Sequence, residues 1–332
     1  MPPRIDWESQ IGRRLRFRDL HVFFTVLDLG SMSQAAARLG VTAPTVSEVI
    51  ADLEHTLGVR LLDRTPKGVL PTPYGQALAI RGRAAFDELR QGIRDIEFIA
   101  DPATSEVRIG CPESLAAFLV LVIERIAQQY PRMRFHVQQV SWPTLDFPEL
   151  HERKTDLVLG RLSAGFFGED LDEEVLFDDP FAAVVGASSK WARKRKINLA
   201  DLVDAAWIST PSDVLAGRFL TEAFEARGLK PPRPAIETSS IHLRQYLASR
   251  SQYIAVLPRS VLLLSGKQYS LKELPLKLST KPSPVAIVTL RKRTPTPAVQ
   301  VFIECARQVA RSLHVDFNHA RNKLAASARA PH

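Results

Sequence analysis

Three glycines, Gly30, Gly40 and Gly58, divide the amino-terminal part of the chain into helix-sized pieces, and this punctuation restricts the fold more than any other feature. Leu20, Phe23, Phe24 and Leu27 recur at helical spacing and stop at Gly30, which predicts one amphipathic helix. Ser33 reads as the N-cap of a second, shorter helix through Ala35, Ala36, Ala37 and Leu39, with Gly40 as the left-handed residue that reverses the chain. A third helix is expected from Thr42 as N-cap, with Pro44 in its first turn and Val46, Val49, Ile50, Leu53 and Leu57 along its apolar face. Arg60 to Arg64 and Val69 to Thr72 then read as two short strands around Thr65-Pro66-Lys67-Gly68.

Two helices joined by a short glycine-containing turn make a helix-turn-helix, whose second helix enters the major groove through its N-terminal residues; the hairpin after it is a wing. The runs GSMSQAAARLGVTAPTVS and LGVRLLDRTPKGVLPTPYG resemble the LysR-type transcriptional regulators over more than fifty residues, far beyond a single short motif. The resemblance implies DNA contacts from Ser33, from Thr42, Ala43, Pro44, Thr45, Ser47 and Glu48 on the third helix, and from Arg64 and Lys67 in the wing. Two positions depart from the family pattern, which commonly has glutamine at Ala43 and often a basic residue at Glu48. Losing an amide that pairs with adenine, and gaining an acid that accepts from cytosine or repels phosphate, implies a different operator.

The net charge of +8 is not what marks the chain as a DNA binder. Residues 1–100 hold 13 basic and 12 acidic side chains, a balance of +1, whereas residues 281–332 hold 9 and 2, a balance of +7. The basic tail, 316–332, reads as a solvated, partly disordered end. DNA affinity then rests on placed cations: Arg64 and Lys67, and Arg13, Arg14, Arg16 and Arg18 of an N-terminal extension over residues 1–18 that reads equally well as solvated. No apolar run approaches the ~20 residues of a membrane span, and the start MPPRIDWESQIGRR lacks a signal-peptide core, so a cytoplasmic location is expected. Cys111 and Cys305 are too few and too far apart for a disulfide framework or metal cluster and read as small buried hydrophobes, with a redox-sensing pair as the alternative.

Thr72 as N-cap and Pro73 at the first position open a long helix over 73–101, a linker after the winged domain of 19–72. Leu78, Ala85, Phe86, Leu89, Ile93, Ile96 and Ile99 keep a spacing of three or four along a rod roughly 40 Å long. Such a stripe packs either on its own domains or, the favoured reading, antiparallel on the same helix of a second subunit; Gly82 and Gly92 would allow close approach. Asp101-Pro102 ends it.

From Thr104 short apolar strands alternate with helices: Val107–Ile109, Phe135–Val137, Asp156–Gly160, Phe181–Val185, Trp207–Ile208, Ala235–Thr238, Tyr253–Leu257 and Val285–Leu290. That pattern predicts an α/β domain with mostly parallel sheets, too long for one small sheet. The LysR resemblance implies an effector domain similar to type 2 periplasmic binding proteins over 104–315: lobe I from 104–181 and 283–315, lobe II from 182–282, with crossings near Pro180 to Val185 and Pro282 to Leu290. The expected fold class is thus α/β with an all-α-type winged helix-turn-helix in front.

Ligands of such sheets bind at the carboxyl ends of strands. The loops there carry Glu113 and Ser114, Ser141 and Trp142, Arg161, Thr210 and Pro211, and Thr238 and Ser239. The hydroxyl residues serve equally well as helix caps. Arg161 could hold a carboxylate bidentately, or form an interlobe or subunit salt bridge. Asp-Leu-Val-Leu-Gly-Arg-Leu at 156–162 resembles LysR regulators of aromatic-acid and sugar catabolism, which implies a small organic carboxylate; Glu113 could instead pair with Arg161 or prefer a cationic or hydroxylated ligand. The eight histidines have no ligand spacing and no nucleophile motif appears, so neither catalysis nor a cofactor is expected. A free-standing solute-binding protein would have no use for the winged domain. The expected partners are promoter DNA, a small-molecule effector, further copies of the chain (a dimer through the linker helix and, by resemblance, a tetramer), and RNA polymerase.

Overall fold

Helix α1 (Phe17–Leu29) ends at Gly30 with φ 62°, α2 (Met32–Leu39) at Gly40 with φ 67°, and α3 (Ala43–Leu57) at Gly58 with φ 66°. All three glycines take the left-handed conformation that costs other residues most. The computed structural model describes residues 14–66, 68–140, 147–162, 168–211, 215–250, 252–276, 278 and 283–329, and their side chains through Leu313 except at 215–216. It divides into two units that meet within one helix, between residues 93 and 94.

In the first unit Phe23, Val26, Ala35, Val46, Ile50, Leu53 and Leu61 form the core joining the three helices. The cap of α2 differs from the sequence expectation. Gly30 ends α1 and leaves Ser31 extended, so the Ser31 hydroxyl accepts from the Gln34 N–H at 3.4 Å, while Ser33 falls inside the helix and is exposed. Strands β1 (Leu62–Thr65) and β2 (Gly68–Pro71) pair antiparallel as the wing. Val69 N–H donates to Gly30 O at 2.8 Å, which seats the wing on the turn after α1. Gly68, at φ 126°, is required there, because a Cβ would stand 2.6 Å from the Gly30 oxygen.

Helix α4 (Pro73–Ala100) starts where Thr72 Oγ1 accepts from Gly75 N–H and donates to Arg60 O. Its predicted stripe divides. Phe86 packs edge-on against Phe17 and Phe24, and Gly82 lies against the Phe24 ring, so the close approach this glycine permits is to α1. Leu89, Ile93, Ile96 and Ile99 are exposed, Ile99 by 80%.

The second unit holds two five-stranded sheets. Lobe I has the order β4 (Arg134–Gln139), β3 (Glu106–Cys111), β5 (Leu157–Arg161), β12 (Pro284–Leu290) and β6 (Leu171–Asp178). Lobe II has β11 (Leu271–Glu273), β7 (Phe181–Gly186), β10 (Ile254–Pro258), β8 (Trp207–Ser209) and β9 (Ile236–Glu237). The expectation of mostly parallel sheets is corrected. Each sheet has two parallel pairings and two antiparallel ones, because the strands bordering each crossing, β6 with β12 and β7 with β11, run against their neighbours. The first crossing occupies Asp179–Pro180, and the second falls between residues 278 and 284.

Helices α5 (Ala116–Gln129) and α10 (Pro297–Arg329) cover the lobe I sheet, with Phe118, Ile126 and Phe302 fully buried. Side chains of this size contribute ~1.5–3 kcal/mol each on burial. Trp207 does the same for lobe II, packing on Phe224 with its indole N–H donated to Leu202 O at 2.9 Å. Cys111 and Cys305 are free and buried in the lobe I core. Helix α10 continues through the basic tail to Arg329, where the sequence suggested a partly disordered end. No helix among the described residues is long and apolar enough to cross a membrane.

A buried charge hub fixes the start of β5. Asp156 accepts from Arg108 N–H at 2.8 Å and Arg108 Nη2 at 2.6 Å, from Arg293 Nη2 at 2.8 Å and from Arg94 Nη1 at 3.2 Å. Burial alone would raise its pKa, but the Arg108 and Arg293 guanidiniums hold the carboxyl below the usual carboxylate range.

Candidate functional site

Helix α3 presents its first turn outward. Thr42 Oγ1 accepts from Thr45 N–H at 3.4 Å and lies 2.8 Å from Thr45 Oγ1, which caps the helix and orders both hydroxyls. Thr42, Pro44 and Glu48 are exposed, Thr45 and Ser47 are half-buried, and Ala43 packs partly into the core beneath. Arg64 of the wing donates from Nη2 to Ser47 Oγ at 2.8 Å, so the wing and the helix form one polar face. Ser33 is exposed near the start of α2. Lys67 and Arg13 lie outside the described residues. Arg14, Arg16 and Arg18 line a groove of about 370 Å³ with Asp52 and His55, beside the far half of α3 rather than its first turn.

The second candidate site lies at the carboxyl ends of the strands in the two lobes. Since β3 and β5 are parallel, Glu113, two residues after β3, and Arg161, at the end of β5, come out at the same sheet edge. In lobe II the parallel strands β8, β9 and β10 end together at Thr210, Thr238 and Pro258. Ser141 and Trp142 lie outside the described residues.

Arg161 is committed to the hinge. It donates from Nη1 to Asp179 O at 2.9 Å and from Nη2 to Asp179 Oδ2 at 2.5 Å, with its guanidinium 5.1 Å from the Phe181 ring centre. Asp179 also accepts from Ser260 N–H at 2.8 Å and Ser260 Oγ at 2.5 Å, at the start of helix α9 (Arg259–Ser265). Of the alternatives raised by the sequence, this is a salt bridge, made to the crossing segment itself. Glu113 does not pair with Arg161 either. Its Oε1 accepts from His242 N–H at 3.1 Å and Ser240 Oγ at 3.5 Å, at the start of α8 (Ile241–Arg250) in lobe II.

The hydroxyl residues separate by role. Thr238 Oγ1 accepts from Ser240 N–H, and Ser240 Oγ from Leu243 N–H, the expected capping use. Ser239 is exposed and lends its carbonyl to Arg244 Nη2 at 3.4 Å. Ser114 sits half-buried in the turn before α5, and Pro211 packs where a Cβ at Gly217 would strike its oxygen. Ser209 Oγ and Thr210 Oγ1, by contrast, are buried without a hydrogen-bond partner.

Sequence reasoning missed Arg244. It is 2% exposed, one turn into α8, and donates from Nη1 to Val256 O at 2.7 Å, while its Nε has no partner. Burial lowers its pKa to about 10, Glu113 opposing that shift and Arg161 adding to it, so it carries its charge at neutral pH. Its signal was an arginine four residues after a capping serine in the helix that follows a parallel strand. A buried cation with an idle N–H, one turn from a helix N-terminus, is chemically suited to an anionic oxygen ligand.

Among the described residues no group of histidine, cysteine, aspartate and glutamate could hold a metal ion. Burial raises the Cys111 pKa to about 12 and raises that of Cys305 as well, which keeps both as unreactive thiols at neutral pH.

Known proteins agree with this architecture. The family described as the LysR substrate binding domain matches residues 100–311, and that described as the bacterial regulatory helix-turn-helix protein, lysR family, matches residues 17–76. The HTH-type transcriptional regulator GbpR of Azospirillum brasilense is 25% identical over 308 residues, 92% of this chain and 90% of the relative. Among solved structures, full-length OxyR from Pseudomonas aeruginosa is 19% identical with a TM-score of 0.63, covering 88% of this chain and 98% of that one. Full-length CbnR complexed with its target DNA is 18% identical with a TM-score of 0.60, covering 89% and 100%.

Proposed function

Since the chain belongs to the LysR family of DNA-binding transcriptional regulators, we propose that it tunes its grip on promoter DNA to a small organic carboxylate bound at the carboxyl ends of β8, β9 and β10. The observation that carries this reading is Arg244, a buried cation one turn into α8 whose Nε has no hydrogen-bond partner. A buried donor without a partner costs roughly 1–3 kcal/mol, and a ligand oxygen would recover it. Arg244 takes the role first assigned to Arg161, which also has an idle Nε but whose two Nη atoms are both held by Asp179.

DNA would be read by Thr42, Pro44, Thr45, Ser47 and Glu48, with Arg64 on phosphate and Ala43 as a partly buried support. The exposed Leu89, Ile93, Ile96 and Ile99 on α4 support a dimer through that helix, and pairing of dimers would set the spacing of the reading heads. Effector binding would change lobe closure and thereby the heads, with RNA polymerase as the downstream partner.

A thermal-unfolding screen of the full chain against small organic acids tests the effector reading. At least one acid should raise the midpoint saturably, as ligand binding to the folded state requires, and Arg244→Met should abolish that shift. A panel in which no acid stabilises the wild-type chain, or in which Arg244→Met responds equally, would refute it.

A further inference from the structure

Glu113 crosses the cleft. It follows β3 in lobe I, yet its carboxylate lies on the start of α8 in lobe II, taking the His242 N–H and the Ser240 hydroxyl. Ser240 itself already caps that helix through Leu243 N–H, so Glu113 adds a negative charge where the helix has its own acceptor. One turn further in is Arg244, buried, cationic and with an idle Nε, and Glu113 is the group whose field favours its charged form. A helix N-terminus and a buried guanidinium one turn in are what an external carboxylate would use, and a carboxylate of the protein already lies on the first.

We propose that Glu113 is an internal ligand of this anion pocket, a latch between the lobes that an incoming carboxylate has to displace. The inference rests on the pocket being an anion site, as argued above, and adds how the site is regulated. A tethered carboxylate competes at an effective concentration of order millimolar. A simple monocarboxylate that only repeats the contacts of Glu113 therefore binds weakly. A carboxylate with a second hydrogen-bonding group, able to take the idle Arg244 Nε–H as well, gains a contact that Glu113 does not make and is the ligand class selected.

Chemical rescue tests the latch. Propionate reproduces the end of the glutamate side chain, so the full chain carrying Glu113→Ala is unfolded thermally in increasing propionate, with propionamide and matched chloride as controls. The variant should melt roughly 2–4 °C below the wild type and recover saturably with propionate alone, while the wild type gains at most a fifth of that shift. Should Glu113→Ala fail to fold, the isosteric Glu113→Gln carries the same comparison, because a neutral amide yields its place to propionate more readily than a carboxylate does. No propionate-specific gain in the variant, or an equal gain in the wild type, overturns the latch. A wild-type chain deaf to every organic acid would refute the effector reading while leaving this rescue measurable, and a responsive wild type without rescue would refute the latch alone.

Discussion

Two buried arginine clusters lie in the same α/β unit, and they differ in whether their donors are used. At Asp156, Arg94, Arg108 and Arg293 converge on one carboxylate, which accepts hydrogen bonds from all three guanidiniums and from the Arg108 backbone. At Arg244 the guanidinium has carbonyls for its Nη atoms but nothing for Nε. Buried ion pairs that are fully satisfied fix a geometry, whereas an idle buried donor is a cost that a ligand oxygen or an ordered water relieves. The first cluster is therefore structural, and the second is the one we propose for effector binding.

Substitution at the first cluster should have the largest effect. Asp156→Asn leaves the buried Arg108 and Arg293 guanidiniums without their counter-charge and should cost about 3–5 kcal/mol in urea unfolding. Because the folded pKa of Asp156 lies below its ordinary value, its contribution is fully present above about pH 4–5 and fades as pH falls through the folded value. The stability gap between wild type and variant should be flat near neutrality and shrink in acid; a gap unchanged down to pH 2 would show that charge is not its origin. Arg244→Met should cost less, roughly 1–2 kcal/mol, since it strands carbonyl acceptors and no carboxylate. A loss as large as that of Asp156→Asn would break the distinction between the clusters. The smallest effect concerns Cys111 and Cys305, whose raised pKa values keep the thiols protonated at pH 7. Iodoacetamide should label neither in the folded chain at a rate comparable to free cysteine, and rapid labelling would reopen the redox alternative.

The winged helix-turn-helix was legible almost residue by residue because its signals are local: capping hydroxyls, left-handed glycines and a helical apolar period. It failed only at Ser31 against Ser33, two serines at one helix start, where the conformation left by Gly30 decides. The lobes were legible through their buried strands. Strand β6, Leu171–Asp178, escaped because it is an edge strand rich in acids, with the wide apolar alternation of Leu171, Val175 and Phe177. Arg244 escaped for the opposite reason. Helix α8 buries Arg244 and Gln245 while exposing Leu243 and Tyr246, so the usual link between hydrophobicity and burial is inverted where the site is built. The tie of Arg161 to Asp179 was not legible either, since the two are eighteen residues apart and meet only at the crossing.

The central claim is that the Arg244 pocket and the α3 face are linked. Fluorescence anisotropy of promoter DNA, titrated with the full chain with and without a saturating stabilising acid, measures that linkage directly. DNA affinity should change by at least about fivefold, 1 kcal/mol of coupling, in the wild type and not at all in Arg244→Met. Identical DNA affinity with and without the acid, in a chain that demonstrably binds it, would contradict the account.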